Sequence, residues 1–481
     1  MCIIACINHF SEDLAMNHTK SSGLNISIKS FITSILVIFT LMITAYILTL
    51  VLPAGTYNRV CDEHGNLLID TTGNFIYLSG GIPFWKWLLS PFLVLGASGS
   101  GTLIAVIAFL LVIGGIFNAL DNSGIMHYML SKLSHQFRTV RYRLLSVVIL
   151  FFMALGAIIG SFEECVPLVP IAVALAIKLG WDPLTGLGMS LLAVGCGFAS
   201  GICNPFTVGV AQELTGLPMF SGIWMRILSF VLIYILLLAF VTRHAKKVDC
   251  HSDMDTNDVF VKNPKADRSL LYFASILGFG IAVILCSPFL PVLQDYTMII
   301  VAVMFLVAGI VSCLASGMPL KQIGHCALRG ITSILPAVAM ILMASSIKYT
   351  LEEAQVLDTI LHEAVNLAET LPQWAVILFI YLIVLVMNFF ISSGSAKAFM
   401  LIPLISPMAQ IFGISPQLCI LAFAFGDGFS NVLYPTNPVL LISLGLANVS
   451  YGKWLQWSWK FQAMNLLLTS ALLLFGLCIH Y

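Results

Sequence analysis

Residues 170–205 read PIAVALAIKLGWDPLTGLGMSLLAVGCGFASGICNP, and residues 403–438 read PLISPMAQIFGISPQLCILAFAFGDGFSNVLYPTNP. Laid over one another without a gap, the two stretches match Pro170 with Pro403, Gly180 with Gly413, Pro183 with Pro416, Gly195 with Gly428, Asn204 with Asn437 and Pro205 with Pro438, each pair 233 positions apart. Pro, Gly and Asn punctuate helices, so the chain repeats a pattern of interruptions, not of apolar filler. Trp224 and Trp454 extend the match if one loop is three residues shorter. An offset held over such a stretch marks an internal repeat of a large unit.

Around this repeat the chain is 59% hydrophobic and 9% charged over 481 residues, with a mean hydropathy of +1.00. Soluble domains carry about 25% charged residues, so this surface cannot be kept in water, and the chain reads as an all-α membrane protein. A crossing takes roughly 20 apolar residues. Full-length apolar segments lie at 31–52, 98–120, 220–242, 269–290, 296–315, 328–347 and 455–478. Two others, 184–212 and 417–447, are long enough but broken by Gly, Asn and Pro. Residues 143–180 and 374–413 are interrupted midway by small and charged residues, and each reads as two half-length helices forming a re-entrant hairpin. The expectation is two inverted repeats with about nine transmembrane helices, two of them discontinuous, plus two hairpins.

Lys and Arg favour the cytoplasmic side. With the N-terminus inside, the first hairpin entering from inside and the second from outside, sixteen basic residues fall inside and only Arg59, Lys86, Arg226 and Lys348 outside; Lys397 and Lys460 remain within segments. The domains are then a cytoplasmic tail (1–30), a first repeat (31–242), a polar cytoplasmic linker (243–268) and a second repeat (269–481). Residues 83–97, with Trp85 and Trp87, read as an interfacial helix, and Glu352, Glu353, Asp358, Glu363 and Glu369 as a solvated external loop. Inverted repeats with discontinuous helices are the mark of alternating-access carriers, whose site lies where the repeats meet.

Several function classes drop out. The formal net charge is zero, which gives no basic footprint for nucleic acid. The cysteines form no CxxC pair, and the histidines fall in tails, connections or segment ends, so neither a metal centre nor a cofactor is expected. FGDGF (425–429) superficially matches an intramembrane aspartyl protease, but Asp427 has no second membrane aspartate, and Ser395 has no membrane histidine to activate it. The chain is therefore not read as an enzyme. A passive channel would not require the inverted pair.

Ionisable groups at membrane depth are costly unless paired or wetted, and mark solute or ion pathways. They are Glu163 and Glu164 at the first hairpin tip, Lys397 at the second and Asp427 beside the second broken helix. Unwound backbone at that depth survives only where packed or lining a cavity, which adds Asn204, Thr207, Thr436 and Asn437; Ser393, Gly394 and Ser395 form a polar tip. The expected substrate site is Glu163, Glu164, Asn204, Thr207, Ser393, Gly394, Ser395, Lys397, Asp427 and Asn437. The expected cation-coupling set is Ser161, Asn204, Thr436, Asn437 and Asp427, with proton or transient sodium as the ion. Each has a plainer reading. The acids can cap a half-helix, the asparagines can satisfy unwound backbone, and Lys397 can neutralise Asp427 as readily as bind a ligand.

The segments GSFEECVPLVPIAVALAIKLGWDPLTGL, GICNPFTVGVAQELTGLPMFSG, SSGSAKAFMLIPLISPMAQIFGIS and FGDGFSNVLYPTNPVLLISLGLANVSYGKW resemble the YfcC-type basic amino acid antiporters, relatives of the DcuC-type C4-dicarboxylate carriers in the ion transporter superfamily. The resemblance runs from residue 31 onward. It implies a multi-pass protein of a bacterial inner membrane, proton- or sodium-linked transport or exchange, and a homodimer packed through peripheral helices, here 31–52 and 269–315. Lys397 departs from the family's pattern, which has an uncharged polar residue such as Gln there. The expected function is a secondary active transporter of a basic amino acid; the alternative is a C4-dicarboxylate carrier.

Overall fold

The structure, a computed structural model, describes residues 28–61, 67–69, 75–78, 80–97, 100–160, 162–249, 262–286, 297–368 and 371–481. The tail up to residue 27, Ser161, linker residues 250–261 and Glu369 of the expected acidic loop lie outside them. The first half runs through α1 (Ile28–Val51), α2 (Ser100–Asn122), α3 (Ile125–Phe137), a helical pair over 141–178, a broken helix over 183–214 and α4 (Ile223–Lys247). The second runs through α5 (Pro264–Cys286), α6 (Thr297–Ala315), α7 (Leu320–Glu353), α8 (Leu357–Ala368), a helical pair over 373–411, a broken helix over 416–446 and α9 (Tyr451–Cys478). Among the described residues seven helices are long and apolar enough to cross a membrane, and two shorter apolar ones, Ile35–Val51 and Ile299–Ala315, accompany them.

The repeated punctuation repeats in space as well. Gly180 and Gly413 both take left-handed backbone, at φ +88° and +69°. After each, a side chain caps the next helix: Asp182 accepts from the Thr185 N–H at 2.9 Å, and Ser415 from the Leu418 N–H at 3.1 Å. Pro183 and Pro416 follow in the first turn, where a missing N–H costs nothing. Both broken helices then stop and restart on an asparagine. Gly201 ends the first piece at φ +52°, a conformation that a Cβ disfavours.

The two broken helices cross where side chains vanish. A Cβ on Gly195 would lie 2.5 Å from Val432, and one on Gly428 would lie 2.2 Å from the Ala199 backbone. Moving by 233 turns Gly195 into Gly428 and Ala199 into Val432, so this contact maps onto itself, as a two-fold related interface requires. Gly428→Ala should therefore cost at least about 1–3 kcal/mol by overpacking and lower the yield of monodisperse protein in gel filtration. Gly452→Ala is the control, because nothing lies within 4 Å of its Cβ position; equal yields for the two would contradict the crossing.

Both helical pairs are hairpins with joined ends. The Arg141 guanidinium donates to the Leu179 carbonyl at 3.2 Å, and the Gln373 amide to that of Gly413 at 3.3 Å. The open ends sit at opposite ends of α4. Arg141 pairs with Asp249, and Asp182 with His244 at 3.1 Å, beside the last turn of α4. Gln417 instead donates to Ser221, and the Tyr481 hydroxyl to the Gly222 carbonyl at 2.5 Å, just before its first turn. With 25 residues at 1.5 Å each, α4 separates these places by about 37 Å.

Two expectations are corrected. Three of the four hairpin limbs are not half-length. Arg141–Ile159 has 19 residues, and Gln373–Phe390 and Gly394–Ile411 have 18 each, about 27 Å of helix. The returning limb of the first hairpin instead enters through the 3₁₀ turn Glu163–Leu168 and keeps an α-helix of 10 residues, Val169–Lys178. The acidic run 352–363 is not a solvated loop either. It forms the end of α7 and the amphipathic α8, on which two β-ribbons dock: β1 (Ala54–Thr56) with β4 (Ile76–Leu78), and β2 (Arg59–Cys61) with β3 (Leu67–Ile69). Arg59 grips both Asp358 oxygens at 2.9 Å, the Tyr57 N–H donates to Asp358 at 3.1 Å, and Phe75 stacks on His362 at 4.1 Å. Burial, then Asp358, pushes the Tyr57 hydroxyl up to about 12, so it stays protonated. The ribbons lay outside the all-α expectation because their strands are three residues long, too short to show a period-two pattern.

Ion pairs outside the membrane core sort by side. Arg141–Asp249, Lys132–Asp267 and His244–Asp182 join segments expected inside; Arg59–Asp358, Lys86–Glu353 and Lys348–Glu352 join segments expected outside. Among the described residues none bridges the two groups. Surface pairs of this kind add little stability, but they report which loops share a face.

Candidate functional site

Each hairpin tip meets a broken helix. The first turns at Gly160, where a Cβ would lie 2.3 Å from the Asn204 carboxamide oxygen. The second restarts at Gly394, where a Cβ would lie 2.7 Å from Thr207 Cγ2 and 2.9 Å from Asp427 Oδ2. Gly394 thus brings the second hairpin against the first broken helix and the second at once. The returning turn of the first hairpin, Glu163–Leu168, packs in its turn against the restarted piece of the second, Pro438–Leu446. The tips and breaks of both halves thus meet in one region.

Both breaks use asparagine as a helix cap. Asn204 Oδ1 accepts from the Phe206 N–H at 3.0 Å, and Asn437 Oδ1 from the Val439 N–H at 2.9 Å. A capping oxygen supplies one of the bonds a helix start lacks, and it leaves the Nδ2 groups free for other partners. That of Asn437 donates to Asn431 Oδ1 at 3.0 Å; that of Asn204 is buried with no partner among the described residues.

The second half contains an ion pair shut off from solvent. Lys397 and Asp427 are both 0% exposed, and the ammonium donates to Asp427 Oδ1 and to Asn388 Oδ1. Asn388 is held in turn. Its Nδ2 reaches the Asp427 carbonyl at 3.0 Å, Ser430 Oγ at 2.6 Å and Asn431 Oδ1 at 3.0 Å. One network therefore ties the outgoing limb (Asn388), the returning limb (Lys397) and the broken helix (Asp427, Ser430, Asn431, Asn437). Lys397 thus pairs with Asp427 in this structure.

The first half is built differently. Glu163 and Glu164 are half-buried at the start of a 3₁₀ turn. Neither belongs to any ion pair among the described residues. Among the described residues, five buried polar atoms of the expected site find no hydrogen-bond partner: Glu164 Oε2, Asn204 Nδ2, Thr207 Oγ1, Asp427 Oδ2 and Thr436 Oγ1. Buried polar groups are satisfied in the great majority of cases, and exceptions call for an explanation such as an absent ligand or ion. Ser393 is exposed and Ser395 half-buried at the second tip, with the Ser393 carbonyl accepting from the Lys397 N–H at 3.1 Å. Ser161 falls outside the described residues.

The sequence reading missed Asn388, Ser430 and Asn431. A signal for the first was present: VLVMNFF (384–390) carries a lone amide in an otherwise apolar limb, and such a group is costly in lipid unless bonded. Arg226 is 1% exposed and donates to the Phe220 and Ser221 carbonyls at 2.9 Å.

A family model described as "DcuC: C4-dicarboxylate anaerobic carrier" matches residues 31–478. The Escherichia coli (strain K12) protein named "Putative basic amino acid antiporter YfcC" is 30% identical over 385 residues, 75% of each chain. A Haemophilus influenzae (strain ATCC 51907 / DSM 11121 / KW20 / Rd) protein without an assigned function is 23% identical over 433 residues, 87% of this chain and 80% of its own. Among solved structures, the Alcanivorax borkumensis YdaH transporter aligns over 93% of this chain and 99% of its own, at 19% identity and a TM-score of 0.46.

Proposed function

This chain belongs to the DcuC family of C4-dicarboxylate anaerobic carriers, and from that premise we propose that it is a secondary active transporter that carries a basic amino acid by exchange or ion coupling. It is a multi-pass membrane protein of a transporter family, not an enzyme. The observation that carries the substrate reading is the charge balance of the site. Its one buried cation is spent on Asp427, while Glu163 and Glu164 face the same region in no ion pair among the described residues. An ionic contact at roughly 4 Å and an effective dielectric near 20 gives about 4 kcal/mol before desolvation, enough to select a cationic solute over a neutral one. A solute with two carboxylates would meet free acid and no free ammonium.

In this reading the substrate's cationic end sits at Glu163 and Glu164. Its carboxylate lies against the second tip (Ser393, Gly394, Ser395), Asn204 with Thr207, and Asn437. Thr436, Asn437 and Asn204 lie where a coupling cation would act, with Asp427 held by Lys397. The halves are inverted across the bilayer with the N-terminus cytoplasmic, and the hairpins re-enter from opposite faces. The self-mapping Gly195–Val432 and Gly428–Ala199 contact and the hairpin ends at opposite ends of α4 support this arrangement. Rocking one half against the other would then expose the site to each side in turn. The relative named as a basic amino acid antiporter fits this substrate class.

Purified protein in proteoliposomes tests it. Labelled arginine should accumulate, and a hundredfold excess of lysine or ornithine should reduce its uptake at least tenfold, while succinate at the same excess leaves it unchanged. Succinate competition, or succinate uptake without arginine uptake, would instead establish the dicarboxylate reading.

A further inference from the structure

The 233-residue offset places Lys397 on Glu164. Both sit at the beginning of the limb that returns from a hairpin tip, yet they carry opposite charges, and their surroundings follow suit. Asn388 and Asp427, which hold Lys397, correspond to Leu155 and Val194 in the first half, whose side chains offer no oxygen. One half therefore presents an acid with a buried oxygen that has no partner among the described residues, and the other encloses a cation. A site that was two-fold in its backbone is thus asymmetric in charge.

The enclosure is specific for a cation. The Asn388 amide gives its N–H groups to the Asp427 carbonyl, Ser430 and Asn431, which turns its oxygen toward Lys397 Nζ. Asp427 Oδ1 supplies the second oxygen and a full negative charge. Two convergent oxygens from two different helices, one of them ionised, supply part of the oxygen shell that a small monovalent cation takes. Hard cations take oxygen donors, and an ammonium differs chiefly in having directed protons. Lys397 meets the same demand while being unable to leave.

We propose that Lys397 is a resident cation: its ammonium fills the position at Asp427 that a free monovalent cation would otherwise take, so that the protein works without sodium and Glu164 remains the place for a cation from outside, the substrate's own. The inference rests on the reading of this region as the transport site. Removing the charge while keeping the polar side chain should open the position and create a sodium requirement that the native protein lacks.

The test compares wild type with Lys397→Gln in detergent, by melting temperature in sodium chloride against N-methylglucamine chloride at 100 mM. Wild type should melt within 1 °C of the same temperature in both salts. The variant should melt lower in N-methylglucamine and recover by about 3 °C or more in sodium, the size that mass action gives well above a dissociation constant. A sodium-stabilised wild type, or a well-folded variant indifferent to sodium, would overturn the proposal. Should Lys397→Gln fail to fold, the wild-type arm still decides through arginine flux, which must change less than twofold when sodium is replaced on both sides. Because the melting arm uses no substrate, absence of arginine flux would count against the function proposed above and leave the sodium result standing.

Discussion

Asp427→Asn should destabilise the protein by about 3–5 kcal/mol, the cost of stranding one member of a buried ion pair, and abolish transport. Lys397 is fully buried, with Asn388 and Asp427 as its partners, so neither water nor a third acid can take over the neutralisation. Its mirror, Lys397→Met, strands the carboxylate instead and should cost a similar amount. The informative measurement is the double variant Lys397→Met/Asp427→Asn. A buried pair replaced as a whole is often nearly neutral, so the double should be more stable than either single, with a coupling energy of at least about 2 kcal/mol. In melting temperature each single change should amount to a fall on the order of 10 °C, with much of it recovered in the double. Strictly additive losses would mean that the two charges are solvated independently and that the network does not exist as described.

Glu164→Gln should reduce kcat/KM for arginine by about 10- to 100-fold while sparing citrulline, its uncharged analogue. The Coulombic ceiling of about 4 kcal/mol corresponds to nearly a thousandfold, and the desolvation of both partners returns part of that. Glutamine keeps the shape and the hydrogen-bonding capacity, so a change in the arginine-to-citrulline ratio isolates the charge from packing. Glu163→Gln should act in the same direction but more weakly, since it is Glu164 whose buried oxygen lacks a partner among the described residues. Unchanged arginine flux in both variants would remove the acids from the substrate site and with them the case for a basic solute.

Much of this was legible along the chain, and the reason is the solvent. In lipid every backbone group must be satisfied within its own segment, so interruptions by Pro, Gly and Asn are conspicuous, and a repeat of them betrays the architecture. Gly180 and Gly413, the two proline starts and the two asparagine restarts all came from a single offset, and each marks the same local structure in both halves. The charged residues of the site, Glu163, Glu164, Lys397 and Asp427, were equally plain, because an ionisable side chain inside an apolar segment has few reasons to be there.

What the sequence by itself determined was therefore which segments repeat, where they break and which side chains are too polar for their depth. Only the tertiary structure decided who pairs with whom. Lys397 takes Asp427 and Asn388 because the second hairpin folds its limbs against the second broken helix, a contact between positions 9 and 30 residues away along the chain that no helical or strand period reports. The same holds for the docking of the β-ribbons on α8, made by Arg59 and Asp358 some 299 residues apart. Hydropathy and punctuation are local properties and can be read one segment at a time; charge neutralisation is a property of neighbours in space.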